Sequence, residues 1–468
     1  MKTFAVLCFA CLAGCTVGPD YHAPPPVPGT QVPLLGTREA QAMGSEPPQQ
    51  WWQLYQDPAL NDLVQEAFRA NTDLAVAAAN LAAARATLES ARVGRYPQTQ
   101  LGVGTERGRD AVTDEILEIG GHAPQTLGFY DALLDVSYEV DLFGHVRRGI
   151  EAARADTEAA LAARDIVKIT VAAETTRAYA QVCALGEAIA VARHSIDVVT
   201  HEAQITTDRR DAGAAADFDV VRAQALLAQV RAALPPLAGQ RQAALFQLAQ
   251  LLARPPGGAP QAAQDCVVPP RLTTLIPVGD GASLLARRPD VRQAERRIAG
   301  ATARIGVATA DLYPRISLLG TYGGIGTQVS DVADSVGLTW GIGPRISWSF
   351  PNQSPVRARI KQARAGEQAA VARFDGVVLQ ALEETDQALS TYAAELARRE
   401  ELRIARDRAQ QAFNMAHDQF LAGATSNLDL LTAESTAVAA DAALAASDGA
   451  VAQDQIGVFK ALGGGWQP

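Results

Sequence analysis

The sequence predicts a mainly α-helical chain that also carries membrane β-strands, built from two similar halves. Three observations lead there: an internal repeat, long proline-free helical tracts, and short stretches of strict apolar/polar alternation. Ile346-Ser347-Trp348-Ser349-Phe350 follows Val136-Ser137-Tyr138-Glu139-Val140 by 210 positions. Val356-Arg357, Glu384-Thr385, Gly423 and Asp429 follow Val146-Arg147, Glu174-Thr175, Gly213 and Asp219 by the same interval. A duplication of this length, holding a strand, a long helix and a sharp turn in each copy, is an architecture in itself.

The 468 residues carry a formal net charge of -10, which argues against a nucleic-acid partner. The 25 prolines gather at the N-terminus, around 235–277 and at strand edges. What remains is rich in Ala, Arg, Glu and Gln, a helix-forming composition.

Taken in order, residues 1–14 read as an export signal: Lys2, an apolar run, then small residues before Cys15. The run is too short to span a bilayer as a helix. Leu12-Ala13-Gly14-Cys15 resembles the bacterial lipobox, which implies that Cys15 becomes the N-terminus and carries acyl chains, and Thr16 after it resembles lipoproteins sent to the outer membrane. Cys183 and Cys266 are then the cysteines left in the mature chain. An oxidising periplasm would allow them to pair; one sits mid-helix and one in a linker, so two unpaired thiols stand beside that reading.

Residues 15–50, rich in Pro, Gly and Gln, read as an extended tether. The first repeat covers 51–254. Asp57 caps and Pro58 opens a helix expected to run to about Gly94, where Tyr96-Pro97 stops it. From about 98 to 141 the period changes to two, as in a hairpin with one apolar and one polar face. His145 to Asp211 lacks proline and would extend about 100 Å as one helix, roughly three times the ~30 Å hydrocarbon core, so most of it must project into water. The chain turns near Gly213, and Pro235-Pro236 divides the descending tract into two stacked helices. Residues 255–280 form a proline-rich linker. The second repeat, 281–462, opens with Arg287-Arg288-Pro289-Asp290, where Asp290 is placed to cap the next helix. It carries a hairpin at about 315–350 and a turn near Gly423, and 463–468 are a tail.

The returning strand of the second hairpin sets Leu338, Trp340, Ile342, Pro344, Ile346, Trp348 and Phe350 against Thr339, Gly341, Gly343, Arg345, Ser347 and Ser349. An apolar outside with aromatic ends and a polar inside is the pattern of a membrane barrel strand, a half-buried soluble sheet being the alternative. Four strands cannot close a barrel, and open edges are not tolerated in lipid. Two chains would give eight strands whose interior side chains nearly fill, whereas three give twelve and leave a lumen. Ala on more than one face of the long helices favours a helical ring over a bundle with a single core, with a plain coiled coil as the other reading.

Together these segments resemble the TolC-like outer-membrane efflux channels, in the lipoprotein branch associated with resistance-nodulation-division (RND) pumps. The resemblance rests on Cys15-Thr16-Val17-Gly18-Pro19-Asp20-Tyr21, Asp141-Leu142-Phe143-Gly144 with Arg147-Arg148, Leu234-Pro235-Pro236-Leu237, Arg287 to Glu295, Ala310-Asp311-Leu312-Tyr313-Pro314 and Leu462 to Trp466. It implies a homotrimer with a twelve-stranded outer-membrane barrel, four strands per chain, continued by a long periplasmic α-helical barrel. It also implies a periplasmic adaptor and an inner-membrane RND transporter as partners, with a closed tip that opens when they dock. The chain departs from the relatives' Phe-Asp-Gly-Gly at Phe350-Pro351-Asn352-Gln353, an altered turn.

Gly213 and Gly423 permit positive φ at the two tips, and Asp217 and Asn427 are placed to cap the returning helices. Exposed small-residue hairpin ends are also what an adaptor hairpin could approach. By resemblance the constriction lies around Leu428, Asp429 and Thr432, where three Asp429 carboxylates would attract cations; solvated first-turn acids are the plainer reading. Nothing points to an enzyme, a resident metal or a cofactor other than lipid on Cys15. His194 and His201 lie seven apart without a third ligand, and Gly102-x-Gly104 sits in a strand rather than a phosphate loop. The expectation is a passive exit duct in the outer membrane. A periplasmic lipoprotein that braces the envelope, or a duct serving an ATP-driven or type I secretion system, stands as the alternative.

Overall fold

The computed structural model describes residues 16–25, 27, 34–35, 43–109, 111–124, 126–272 and 274–464, so the signal, Cys15 and Trp466 lie outside the described residues. After a 3-10 turn at Trp51–Tyr55, the elements in chain order are α1 (Pro58–Ala70), α2 (Thr72–Val93), β1 (Gln98–Gly108), α3 (Ala111–Ile119) and β2 (Leu127–Val140). Next come α4 (His145–Asp211), α5 (Asp217–Ala232), α6 (Leu234–Leu251), α7 (Gly281–Arg287), α8 (Pro289–Ala310), β3 (Arg315–Gly326), β4 (Leu338–Ser347), α9 (Ser354–Leu421) and α10 (Asn427–Ala461). The helix expected over 58–94 is two helices. Asn71 ends the first and caps the second: its Oδ1 accepts from the backbone N–H of Asp73 (2.9 Å) and Leu74 (3.2 Å), while its Nδ2 donates to the Leu251 carbonyl. A side chain that satisfies the next helix's orphan donors breaks the helix without proline.

The chain divides into two compact units. The first holds Leu81–Ala160 and Ala294–Phe374 together with the N-terminal residues up to Pro24. Its centre is a four-stranded antiparallel sheet in the order β1-β2-β3-β4. Register decides its faces, because partners across an antiparallel pair share a face. Leu101 pairs with Leu134, Leu134 with Tyr322, and Tyr322 with Trp340, giving one apolar row; Val136, Gly320 and Ile342 form the next. Between these rows, on the opposite face, run Gln100, Asp135, Thr321 and Gly341, and Thr321 Oγ1 donates to Asp135 at 2.7 Å. Strand β4 ends at Ser347, so Trp348 and Phe350 extend the aromatic end from outside it, stacked on each other at 4.7 Å. The Phe350–Pro351 bond is cis.

Asp141 fixes the corner between β2 and α4. Its carboxylate accepts from the backbone N–H of Val146 (3.1 Å) and Arg147 (2.8 Å), across a turn that Gly144 makes at φ +83°.

The second unit, Pro25–Asn80, Leu161–Gln293 and Asp375–Pro468, has a hydrophobic core around Trp51. Trp51 stacks on Phe459 at 4.8 Å and shares its core cluster with Leu60, Leu248, Leu389 and Ile456, all fully buried. Asp57 caps α1 through the N–H groups of Ala59 and Leu60 and also accepts from the Tyr179 hydroxyl at 2.9 Å. Asp290, expected as a cap, lies inside the first turn of α8 and orients Arg288. Arg288 and Arg287 donate to the last carbonyls of the C-terminal helix, at Ala461 (2.8 Å) and Leu462 (3.1 Å). The arginines therefore cap one helix end, a role that cations favour at a C-terminus.

Cys183 and Cys266 form a disulfide, which settles the open pairing. The linker reaches α4 because Gly186 leaves room for it: a Cβ there would meet the Cys266 carbonyl. The bond closes a long loop, the two cysteines standing at a sequence separation of 83. Replacing Cys266 by Ser should lower resistance to unfolding by about 2–4 kcal/mol and expose one titratable thiol. Equal denaturation midpoints for variant and parent, with two titratable thiols in the mature parent and one in the variant, would exclude the bridge.

Candidate functional site

Three places in the molecule carry functional geometry: the sheet surface, the N-terminal segment and the two helix tips. On the sheet, Leu101, Val103, Tyr322, Trp340, Ile342 and Ile346 are exposed. They occupy one face, whose burial within a hydrocarbon layer would be favourable at about 25 cal/mol per Å². Among the described residues β1 and β4 each pair with one strand, so each offers an unpaired row of backbone donors and acceptors. No helix is long and apolar enough to cross a membrane among the described residues.

The N-terminal segment and the strand–helix corner, noticed in the sequence as separate motifs, interlock. Val17 N–H donates to the Phe143 carbonyl (3.2 Å) and Arg147 to the Thr16 hydroxyl (2.9 Å). Arg148 donates to Asp20 at 2.7 Å and Glu151 at 2.8 Å, and its charged form is favoured by both carboxylates against the cost of burial. Gly18, at φ +91°, lies so close to α8 that a Cβ would sit 2.5 Å from Gly306 Cα. Tyr21 donates to Glu295 at 2.7 Å; burial first, then that carboxylate, pushes its phenol up to about 12. Phe143 stacks on Tyr313 at 4.5 Å, joining the β2–α4 corner of the first repeat to the α8–β3 corner of the second. Cys15 itself lies outside the described residues, one position before the anchored Thr16.

The two tips repeat each other in the backbone hydrogen bonds that close their ascending helices. Gly213 and Gly423 stand at φ +75° and +72°. Ala214 N–H donates to the Arg209 carbonyl and Ala424 N–H to that of Gln419, closing each helix in the left-handed manner that favours glycine. The expected caps are displaced by one residue. Asp217 and Asn427 are the first helical residues, and the caps are Ala216 and Ser426. Asp217 pairs instead with Arg210 at 3.2 Å. Ser426 accepts from Asp429 N–H at 3.2 Å and donates to the Asp429 carboxylate at 2.6 Å, which also receives the Thr425 hydroxyl. Those hydroxyls, Ser426 first, hold the Asp429 carboxyl below its usual range.

Leu428, Asp429 and Thr432 share the exposed face at the start of α10, while Leu430, Leu431 and Glu434 face inward and are buried. Thr432 turns its hydroxyl to the Leu428 carbonyl at 2.7 Å. The tips are tied to one another by a residue that sequence reading passed over. Arg209 donates to the Phe420 carbonyl at 3.0 Å and its guanidinium lies 4.2 Å from the centre of the Phe420 ring. At the repeat interval Arg209 corresponds to Gln419 and Phe420 to Arg210, so the places where the halves differ were the available signal.

Comparison with known proteins agrees with this geometry. The sequence profile of the family described as "Outer membrane efflux protein" matches residues 63–254 and again 282–464. Outer membrane protein OprJ of Pseudomonas aeruginosa is 30% identical over 481 aligned residues, covering 99% of this chain and 95% of its own. Nodulation protein T of Rhizobium leguminosarum bv. viciae is 28% identical, covering 97% of this chain and 92% of its own. The solved outer-membrane channel OprN superposes with a TM-score of 0.88 at 34% identity, over 97% of this chain and all of that one. Duplicated halves, a four-stranded membrane sheet and long helices ending in paired tips are thus a shared design, and the chain belongs to the outer membrane efflux protein family.

Proposed function

We propose that three copies of this chain close a twelve-stranded barrel in the outer membrane, and that the resulting duct is the exit of a tripartite pump. A periplasmic adaptor and an inner-membrane RND transporter complete it. The observation that carries the reading is the open-edged sheet with its continuous apolar face. In lipid an unpaired edge costs several kcal/mol for each unsatisfied backbone group, so β1 of one copy must meet β4 of another. Eight strands would leave an interior filled by side chains; twelve leave a passage. The duct is passive, with energy supplied by the transporter. Acyl chains on Cys15 fit a segment whose next residue is pinned at the strand–helix corner. The tips around Gly213 and Gly423 are the surface offered to the adaptor. The face of α10 carrying Leu428, Asp429 and Thr432 is the constriction.

Native mass of the detergent-extracted mature protein, with and without Cys15→Ser, tests the assembly. A lipid-bearing trimer is expected, and a detergent-independent monomer would instead favour an envelope-bracing lipoprotein. Ile342→Lys should weaken insertion by about 2–4 kcal/mol near the bilayer midplane, read as lost trimer in the membrane fraction; undiminished insertion would remove that face from lipid. Asp429→Asn should lower the ratio of cation to anion permeability in planar bilayers while leaving trimer mass unchanged. A constant ratio would take Asp429 out of the constriction.

A further inference from the structure

Glu434 lies on α10 a little over two turns beyond the Ser426 cap and is 1% exposed. Neither of its carboxyl oxygens meets a hydrogen-bond partner among the described residues. Facing it from α4 is a second buried carboxylate, Glu202, whose Oε1 is 3.0 Å from Nδ1 of His417 on α9. Glu202 Oε2 has no partner among the described residues. Further along the same groove α4 presents His194, Asp197 and His201, and α9 presents Asp418 beside His417. The side of α5 packed here is apolar: Ala223, Leu226 and Leu227 join Ala203 and Leu431. The nearby Arg222 of α5 lies over the Phe218 ring at 5.5 Å, and Arg209 is engaged by Phe420.

Two carboxyl groups are thus enclosed with one imidazole, and that imidazole stands against Glu202. An ionised Glu434 would be a buried charge without compensation, which costs far more than a neutral carboxyl in the same place. Burial, reinforced by the negative Glu202, accordingly raises the Glu434 carboxyl to about 7. We infer that Glu434 binds a proton which holds the inward face of α10 against α4, and that release of this proton loosens the second tip. The inference rests on the reading that the opposite face of the same turns, Leu428, Asp429 and Thr432, forms the constriction.

The direction follows from linkage. The folded carboxyl is raised above its unfolded value of about 4.3, so the folded state binds more protons between the two values. The stabilisation is complete below the unfolded value and is lost as pH rises to about 7. Acid tightens the tip; alkali frees it.

The test uses the full-length trimer. Infrared difference spectra should show a protonated-carboxyl band that disappears on the alkaline side of pH 7 and is absent from Glu434→Gln. In planar bilayers the wild-type open probability should rise with pH, by up to about ten-fold per unit for each of the trimer's protons whose release is needed for opening. Glu434→Gln, which keeps the shape and cannot ionise, should remain closed at both extremes. Glu202→Gln should move the titration of the band to lower pH by removing the neighbouring charge. Absence of the band overturns the proton site. A pH response retained in Glu434→Gln overturns the latch, and if Asp429→Asn still alters ion selectivity, the constriction reading survives that failure. Where Glu434→Gln also lacks the trimer, the Glu202→Gln titration decides: an unmoved band overturns the inference.

Discussion

Backbone hydrogen bonding in lipid is the constraint on which the structure depends. A strand in hydrocarbon has no water to satisfy its edge, and this chain supplies four strands with an edge at either side. The sheet's apolar rows, Leu101 to Trp340 and Val136 to Ile342, make sense as a surface only where lipid lies against them. The alternate rows, with Asp135 and Thr321 hydrogen bonded to each other, make sense only where water does. Chain length follows from the same constraint. A single chain that had to close its own barrel would need several more hairpins, whereas one that shares closure can devote its remaining sequence to helices.

The duplication sets how those helices end. Two tips with the same backbone closure arise because Gly213 and Gly423 sit at the same interval as the strands that precede them. The halves then diverge where a specific contact is required. Arg209 crosses to Phe420 of the other tip, while the counterparts of these residues, Gln419 and Arg210, do not reproduce the contact; Arg210 pairs with Asp211 and Asp217. The position of Glu434 is exposed in the first repeat, where Gln224 occupies it, and enclosed in the second. One ancestral pattern therefore supplies the frame, and its local exceptions supply the contacts that make the tips unequal.

Much of this architecture was legible in the residues themselves. Period-two alternation gave the strands, the proline-free tract 145–211 gave α4, and the 210-residue interval gave its counterpart α9. The errors were local and have local causes. Asn71 breaks a helix by capping the next one, a competition that an alanine-rich neighbourhood concealed. Caps were placed on Asp217 and Asn427 because both are good capping residues, yet the left-handed glycine and the short turn after it start each helix one residue sooner than that placement allows. Arg288 read as part of a helix start, although beyond Asp290 its partners are the Glu384 carboxylate and the Ala461 carbonyl, the latter 173 residues away. Glu434 and Glu202 could not be found at all. A glutamate in a long polar helix reads as solvated until the helix packed over it is known.

The bond between Cys183 and Cys266 also divides the life of the chain into two periods. The linker that joins the repeats lies against α4 at Gly186, and a covalent bond secures it there. Before oxidation the same linker lacks that covalent tie, since thiols stay reduced in the cytosol. Export therefore carries the chain from a compartment in which its linker has no covalent tie to the first repeat into one in which it becomes strapped to α4. Location, through its redox chemistry, acts as the last step of construction.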